Sequence, residues 1–267
     1  MGTIRVGLAN QSSTVTSEQV KRVAAALDVQ MRRDLKPIWD VDAEVMALED
    51  SHVIPAGVSP VIIVDQTPGN FAGVHTITQG VPWAMVSTKR DWALAASHEC
   101  IEMVVDPSGE ATRPSAGLAL VKGALTETDE TFDYLLEACD PIEDSDHAYK
   151  IGDVLVSDFY TPNYFDPAVR AGVRYSCNGA LTRPREVRPG GYLSWRHPVT
   201  RRLQQLRNFD GFAIVDLPDR AGGTATTTRL HVDMNTPTPR THPHLYPAYR
   251  RERAGRAPHR RDQALGA

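Results

Sequence analysis

Trp92-Ala-Leu-Ala-Ala-Ser-His-Glu-Cys-Ile-Glu-Met-Val-Val-Asp-Pro107 is the stretch that decides how this chain reads. Asp91 stands where a helix N-cap is wanted, Leu94, Ile101 and Val105 fall on one face, and Pro107 ends the run. The spacing predicts a helix over Asp91–Val105. Within it lies His98-Glu99-x-x-Glu102. Helical positions i and i+4 project from the same side, so His98 and Glu102 offer an imidazole nitrogen and a carboxylate oxygen to one metal ion. Glu99, beside His98, reaches a water bound there and acts as general base.

Upstream, Ile4–Leu8 reads as a short strand. A helix is expected from Ser17 to Leu35, capped by Thr16 or Ser17. Its apolar stripe is Val20, Val23, Ala24, Leu27, Met31 and Leu35, and Pro37 ends it. Val41–Leu48 and Val61–Val64 read as strands. Gly69, Gly73 and Gly80 mark a loop-rich passage before another strand, Val81–Ser87, which Pro82 assigns to a sheet edge. Downstream, Leu118–Val121 is short and apolar, Glu127–Glu130 reads as an acidic turn, and Val154–Pro162 as a strand followed by a turn. Arg183–Pro198 reads as loops and Phe212–Leu217 as a last strand. The fold class is α/β (α+β): a mixed twisted sheet with an N-terminal helix and the motif helix. The expected domain is 1–217, with an N-terminal half 1–107 and a C-terminal subdomain 108–217. Residues 218–267 become Gly/Thr-rich and then Pro/Arg-rich, and are expected to be largely disordered, above all Pro237–Ala267.

Composition narrows the class. The 267 residues allow a sizeable core. Net charge is −4, unevenly spread: seven arginines from Arg240 onward face Glu252 and Asp262, leaving a body with 22 basic and 31 acidic residues. An acidic body is not a nucleic-acid footprint, so nucleic acid is expected only weakly, through the Arg-rich tail. No apolar run reaches the length of a membrane span, and the first residues lack the apolar core of a signal peptide. The expected location is cytoplasmic, or associated with a virion or prophage. Cys100, Cys139 and Cys177 form neither a disulfide framework nor a CxxC pair.

A hydrolytic metal centre needs a third protein ligand. Glu137-Ala-Cys-Asp140 supplies the candidates. Glu137 is preferred, with Asp140 as the alternative, because Asp140 precedes Pro141 and can serve a turn instead. Asp106 is weaker for the same reason. One histidine with carboxylates suits Zn²⁺ first, and makes Mn²⁺, Mg²⁺ and Ca²⁺ competitive.

Together with Ser97–Pro107, the segments Glu137–Asp140 and Ile151-Gly-Asp-Val-Leu-Val-Ser-Asp-Phe-Tyr-Thr-Pro162 carry a resemblance. Over Val15–Phe165 the chain resembles a group of uncharacterised bacterial and phage proteins similar to zincin-type metallopeptidases with a metzincin-like fold. The resemblance implies that His98 and Glu102 are metal ligands and Glu99 the catalytic base. The expected partner is a peptide or protein substrate. Two features depart from it. Glu102 stands where the second histidine belongs, and Ser108 at the spacing of the third.

The leading expectation is therefore metal-dependent peptide-bond hydrolysis, with an edge strand positioning extended substrate. The alternative is a non-catalytic metalloprotein, or a phage-associated structural or interaction protein with a degenerate site. Structural roles compete at single residues too. Cys100 and Cys139 read as small core residues, Ser157-Asp158 as a turn, and Tyr160 or Tyr164 as packing rather than as an oxyanion donor.

Overall fold

Apolar strands alternating with helices near the N-terminus build a five-stranded mixed sheet, here in a computed structural model that describes residues 2–218 and 228–237. The strands are β1 (Ile4–Asn10), β2 (Ala43–Ala47), β3 (Val58–Val64), β4 (Gly73–Thr78) and β5 (Val81–Ser87), in the order β2-β1-β3-β5-β4. β1, β2, β3 and β5 are mutually parallel where they pair, and β4 runs antiparallel to β5 at the edge. Parallel strands need covered faces, hence the continuous apolar run Val61–Val64 in β3.

The edge strand is thus β4, not Val81–Ser87. The expectation from Pro82 fails for a local reason. β3 meets β5 only from Ala84 to Ser87, so Pro82 lies beyond that pairing and faces only Ile77 of β4. No ladder bond toward β3 is lost there.

The first helix is also more articulated than its stripe suggests. α1 (Ser17–Val29) is closed at its start by a reciprocal capping box between Thr16 and Gln19. A π-helical turn, Gln30–Leu35, follows and leads into the short α2 (Lys36–Trp39). Pro37 does not end the helix; it sits in the first turn of α2, where a missing N–H costs little. The π turn carries the buried Gln30 to α3 (Trp92–Val105): Ser97 Oγ donates to Gln30 Oε1 at 2.8 Å, and accepts from the Ser157 backbone N–H at 2.8 Å.

A second, antiparallel sheet runs β12-β11-β10-β7-β6, from β6 (Thr112–Val121), β7 (Ala124–Leu135), β10 (Tyr192–Arg196), β11 (Leu203–Asn208) and β12 (Phe212–Asp216). Between them, β8 (Tyr149–Ile151) and β9 (Val154–Val156) form a small hairpin. Glu127–Glu130 is no turn but part of β7. The register jumps from Gly117–Thr128 to Ala116–Thr131, so Asp129 and Glu130 are extra residues in a bulge, and the hairpin turns at Lys122-Gly123 instead. Strand β10 likewise emerges inside the stretch read as loops. One continuous core joins both sheets, from Leu8, Leu27 and Ile63 through Ile101 and Val104 to Tyr134 and Trp195.

Within the region expected to be disordered, Thr228–Asn235 is a helix, α4, whose Val232 packs among Leu135, Tyr192, Leu203 and Leu217. The expectation for 238–267 lies outside the described residues.

Candidate metal centre

The motif helix forms as its sequence dictates. The Asp91 carboxylate accepts from the N–H groups of Ala93 and Leu94, both at 3.2 Å, and α3 ends at Asp106. Asp106 serves the turn: it accepts from the N–H groups of Ser108 and Ala111 at 3.1 and 2.8 Å. Its role as a ligand candidate is explained away by those bonds.

His98 and Glu102 share a face, as expected. His98 Nε2 lies 3.2 Å from Glu102 Oε2 and 3.3 Å from Asp140 Oδ1. Of the two third-ligand candidates, Asp140 therefore meets the imidazole. Glu137 joins the same cluster, offering an oxygen within 4.8 Å of others on Glu102 and Asp140. Asp140 is held in place by a close approach of backbones. A Cβ on Gly191 would come within 2.5 Å of the Pro141 carbonyl oxygen and 2.7 Å of Asp140's, so only glycine lets that strand pass. The Cys139 N–H donates to Glu102 Oε1 at 3.0 Å, fixing the other oxygen toward His98.

Glu99 faces the edge strand. Its Oε2 is 3.0 Å from His75 Nδ1 on β4, and its side chain fills the space a Cβ on Gly73 would need, 2.5 Å from Oε1. Sequence reasoning did not single out His75. It was hidden in a passage read as loop, and only the β4–β5 pairing brings it over α3. His75 Nε2 and the Tyr160 hydroxyl are buried with no hydrogen-bond partner among the described residues. Tyr160 stacks on Tyr164 at 4.4 Å, and Tyr164 donates to the Glu186 carbonyl, so packing accounts for Tyr164 but leaves the Tyr160 hydroxyl unmatched.

The second residue that sequence reasoning missed is Arg229, on α4. Its Nη2 lies 2.8 Å from Glu102 Oε2 and 3.2 Å from Asp233, and its Nη1 lies 2.8 Å from Glu137 and 2.6 Å from Asp140. A lone arginine after a Gly/Thr-rich run carries no signal that it will meet carboxylates about a hundred residues earlier.

Electrostatics set the cluster apart. Glu99, Glu102, Glu137, Asp140 and Asp233 are all buried, against one guanidinium and two imidazoles. Burial would raise Glu102, but Arg229 and His98 outweigh it and hold that carboxyl below its usual range. Burial would lower His98; Glu102 and its other neighbours instead hold the imidazolium well above its ordinary value. Burial pushes Glu137 and Asp233 well up despite Arg229, and burial with Asp140 pushes the half-buried Glu143 up to about 8. The cluster therefore carries more acidic side chains than cationic ones, and burial disfavours the charged form of the surplus.

Ligand atoms about 2.0–2.1 Å from a tetrahedral ion stand about 3.3 Å apart, close to the two distances His98 makes. Oxygens of Glu102, Glu137 and Asp140 form one group able to hold a metal, and His98 groups with Asp140 and Glu143 in another. A dication there would add positive charge facing the buried acids. The buried thiols of Cys100 and Cys139 are pushed up by burial and stay protonated, in keeping with core residues. No helix among the described residues is long and apolar enough to cross a membrane. Comparison of the chain with protein-family models, with curated proteins and with solved structures finds no match.

Proposed function

We propose that the chain is a metal-dependent peptidase of zincin-like design, with the ion held by His98, Glu102 and Asp140 and with Glu99 as general base. The observation that carries this reading is the spacing of His98 Nε2 from Glu102 and Asp140, 3.2 and 3.3 Å, inside a cluster short of positive charge. Zn²⁺ suits the imidazole and Mn²⁺ the carboxylates.

When bound, the ion would acidify a water and polarise the scissile carbonyl. Glu99 takes the proton from the attacking water and passes it to the leaving amine. His75 Nδ1, 3.0 Å from Glu99, orients that carboxylate during the transfer. The Tyr160 hydroxyl, buried and unmatched, is a donor for the developing oxyanion. Among the described strands β4 pairs only with β5, and its other side offers main-chain groups to an extended peptide, which would add to the sheet as one more strand once α4 is out of the way.

Glu99→Gln tests the mechanism. Metal content should persist by elemental analysis while hydrolysis of a mixed peptide library disappears; hydrolysis at the wild-type rate would sink the assignment. A second reading is favoured by Arg229, whose four carboxylate partners include two of the proposed ligands. In it, the guanidinium has replaced the ion for good and the protein is a non-catalytic structural or interaction component. Protein purified without an affinity tag that holds no metal, and whose melting temperature ignores Zn²⁺, Mn²⁺ and Ca²⁺, would favour this second reading.

A further inference from the structure

A peptidase centre must be reached by a peptide, yet Glu102, Glu137 and Asp140 are all but sealed from solvent. One face of that seal is α4, which packs against the edge strand β4 and sends Arg229 among the carboxylates. We infer that α4 is an internal latch and that Arg229 and a divalent ion are alternative occupants of the same carboxylates. The inference rests on the metal reading above and adds its regulation.

Three observations support it. The guanidinium lies where the ion's charge is needed, within 2.8 Å of both Glu102 and Asp140, so the two positive charges would repel at close range. The polar face of α4 is also imperfectly matched to the site. Asp233 Oδ2 is buried with no hydrogen-bond partner among the described residues, so this carboxylate is only partly satisfied within the site. Finally, Arg229 is the cation that α4 brings to Glu102, Glu137 and Asp140, so the helix's departure takes that positive charge away from them. Glu99, Glu102, Glu137 and Asp140 stay behind, and among the described residues outside α4 the cationic groups paired with them are His75 and His98. The face uncovered is then the one a dication and an extended peptide require.

The helix is held at its centre by Val232, packed among Leu135, Tyr192, Leu203 and Leu217, and by further bonds at its two ends. The Thr228 N–H donates to Glu110 at 2.6 Å and the Arg229 N–H to the Gly109 carbonyl at 3.1 Å, while Gln205 donates to Thr236 at 2.7 Å. Opening must release those contacts together with the Val232 packing.

The test uses the full chain in two measurements. Zn²⁺ and Mn²⁺ are titrated calorimetrically into the wild type and into Arg229→Gln, which should bind at least tenfold more tightly. In parallel, hydrogen exchange of the wild type is followed with and without saturating metal. Amides of α4 should lose at least tenfold in protection while those of β10 and β11 stay unchanged. If Arg229→Gln does not fold, the exchange experiment decides alone. Metal that binds the wild type with α4 fully protected overturns the latch and leaves the metal centre standing. Absence of binding to either protein overturns the metal reading and the latch with it.

Discussion

Arg185 and Arg229 are equally buried, each 1% exposed, and their surroundings differ in kind. Arg185 donates to the Ser115 hydroxyl and the Asp166 carbonyl, both at 2.6 Å, and pairs with Glu127, whose side chain is 54% exposed. Neutral acceptors and one hydrated acid take up its two Nη groups, while its Nε is left without a hydrogen-bond partner among the described residues, and it ties the β6–β7 hairpin to the loop after Phe165. Arg229 meets four carboxylates, none of which water reaches freely. Desolvating an ion pair is costly unless its partners balance. At Arg185 the acceptors fit the cation; at Arg229 the acids outnumber it. One arginine does not balance so many acids, which is the physical ground for expecting a dication to compete with Arg229 for them.

Removing each arginine breaks or sharpens that contrast. In chelator, Arg229→Ala should cost about 3–5 kcal/mol, because it strands buried carboxylates. Arg185→Ala should cost about 1–3 kcal/mol, since it leaves unsatisfied neutral acceptors and an acid that water can solvate. Urea unfolding of the two variants beside the wild type measures both. Equal losses would mean the excess acid around Arg229 is not felt as charge. Added Zn²⁺ or Mn²⁺ should restore part of the loss in Arg229→Ala and none in Arg185→Ala.

A smaller effect is expected at the roof of the site. A methyl group on Gly73 would meet Glu99 Oε1 at 2.5 Å and Cγ at 2.8 Å, and the bond to His75 keeps that side chain from swinging aside. Gly73→Ala should cost about 1–3 kcal/mol as overpacking. If hydrolysis is measurable, it should also fall, because Glu99 is displaced. Unaltered stability would show that Glu99 moves freely and is not positioned by β4.

These residues also mark how far the sequence could be read. The α3 face bearing His98 and Glu102 and its Asp91 cap follow from local spacing and helix geometry, whereas the sequence preferred Glu137 to Asp140, and it is Asp140 that lies beside His98. His75 does not, because its importance comes from strand pairing: β4 crosses over α3 only once β5 has paired with β3. Pro82 misled for the same reason, since an edge is a property of register and not of one proline. Arg229 was the least legible. Eight helical residues inside a low-complexity stretch fold because Val232 finds a niche between β7, β10 and β11, and no periodicity within the segment announces that niche.

The contrast extends from arginines to acids, and gives the smallest expected effect. Asp158, read from sequence as a turn residue, is a buried carboxylate outside the cluster. It accepts from the N–H groups of Phe159 and Asn178 and from Ser176 Oγ, each at 2.8 Å. Burial raises its pKa, and these donors only partly offset the rise. The folded chain therefore keeps a proton that the unfolded chain has already released. The associated stability is present below the ordinary aspartate value and is lost as pH climbs through the folded one. Between about pH 4 and pH 6, the wild type should lose more stability than Asp158→Asn, as measured by urea midpoints across that range. Glu102 has the opposite sign. Arg229 and His98 hold it low, so its contribution is present above the ordinary glutamate value and disappears on acidification. If Asp158→Asn leaves the slope between pH 4 and 6 unchanged, the donors from Phe159, Asn178 and Ser176 rather than burial govern that carboxylate.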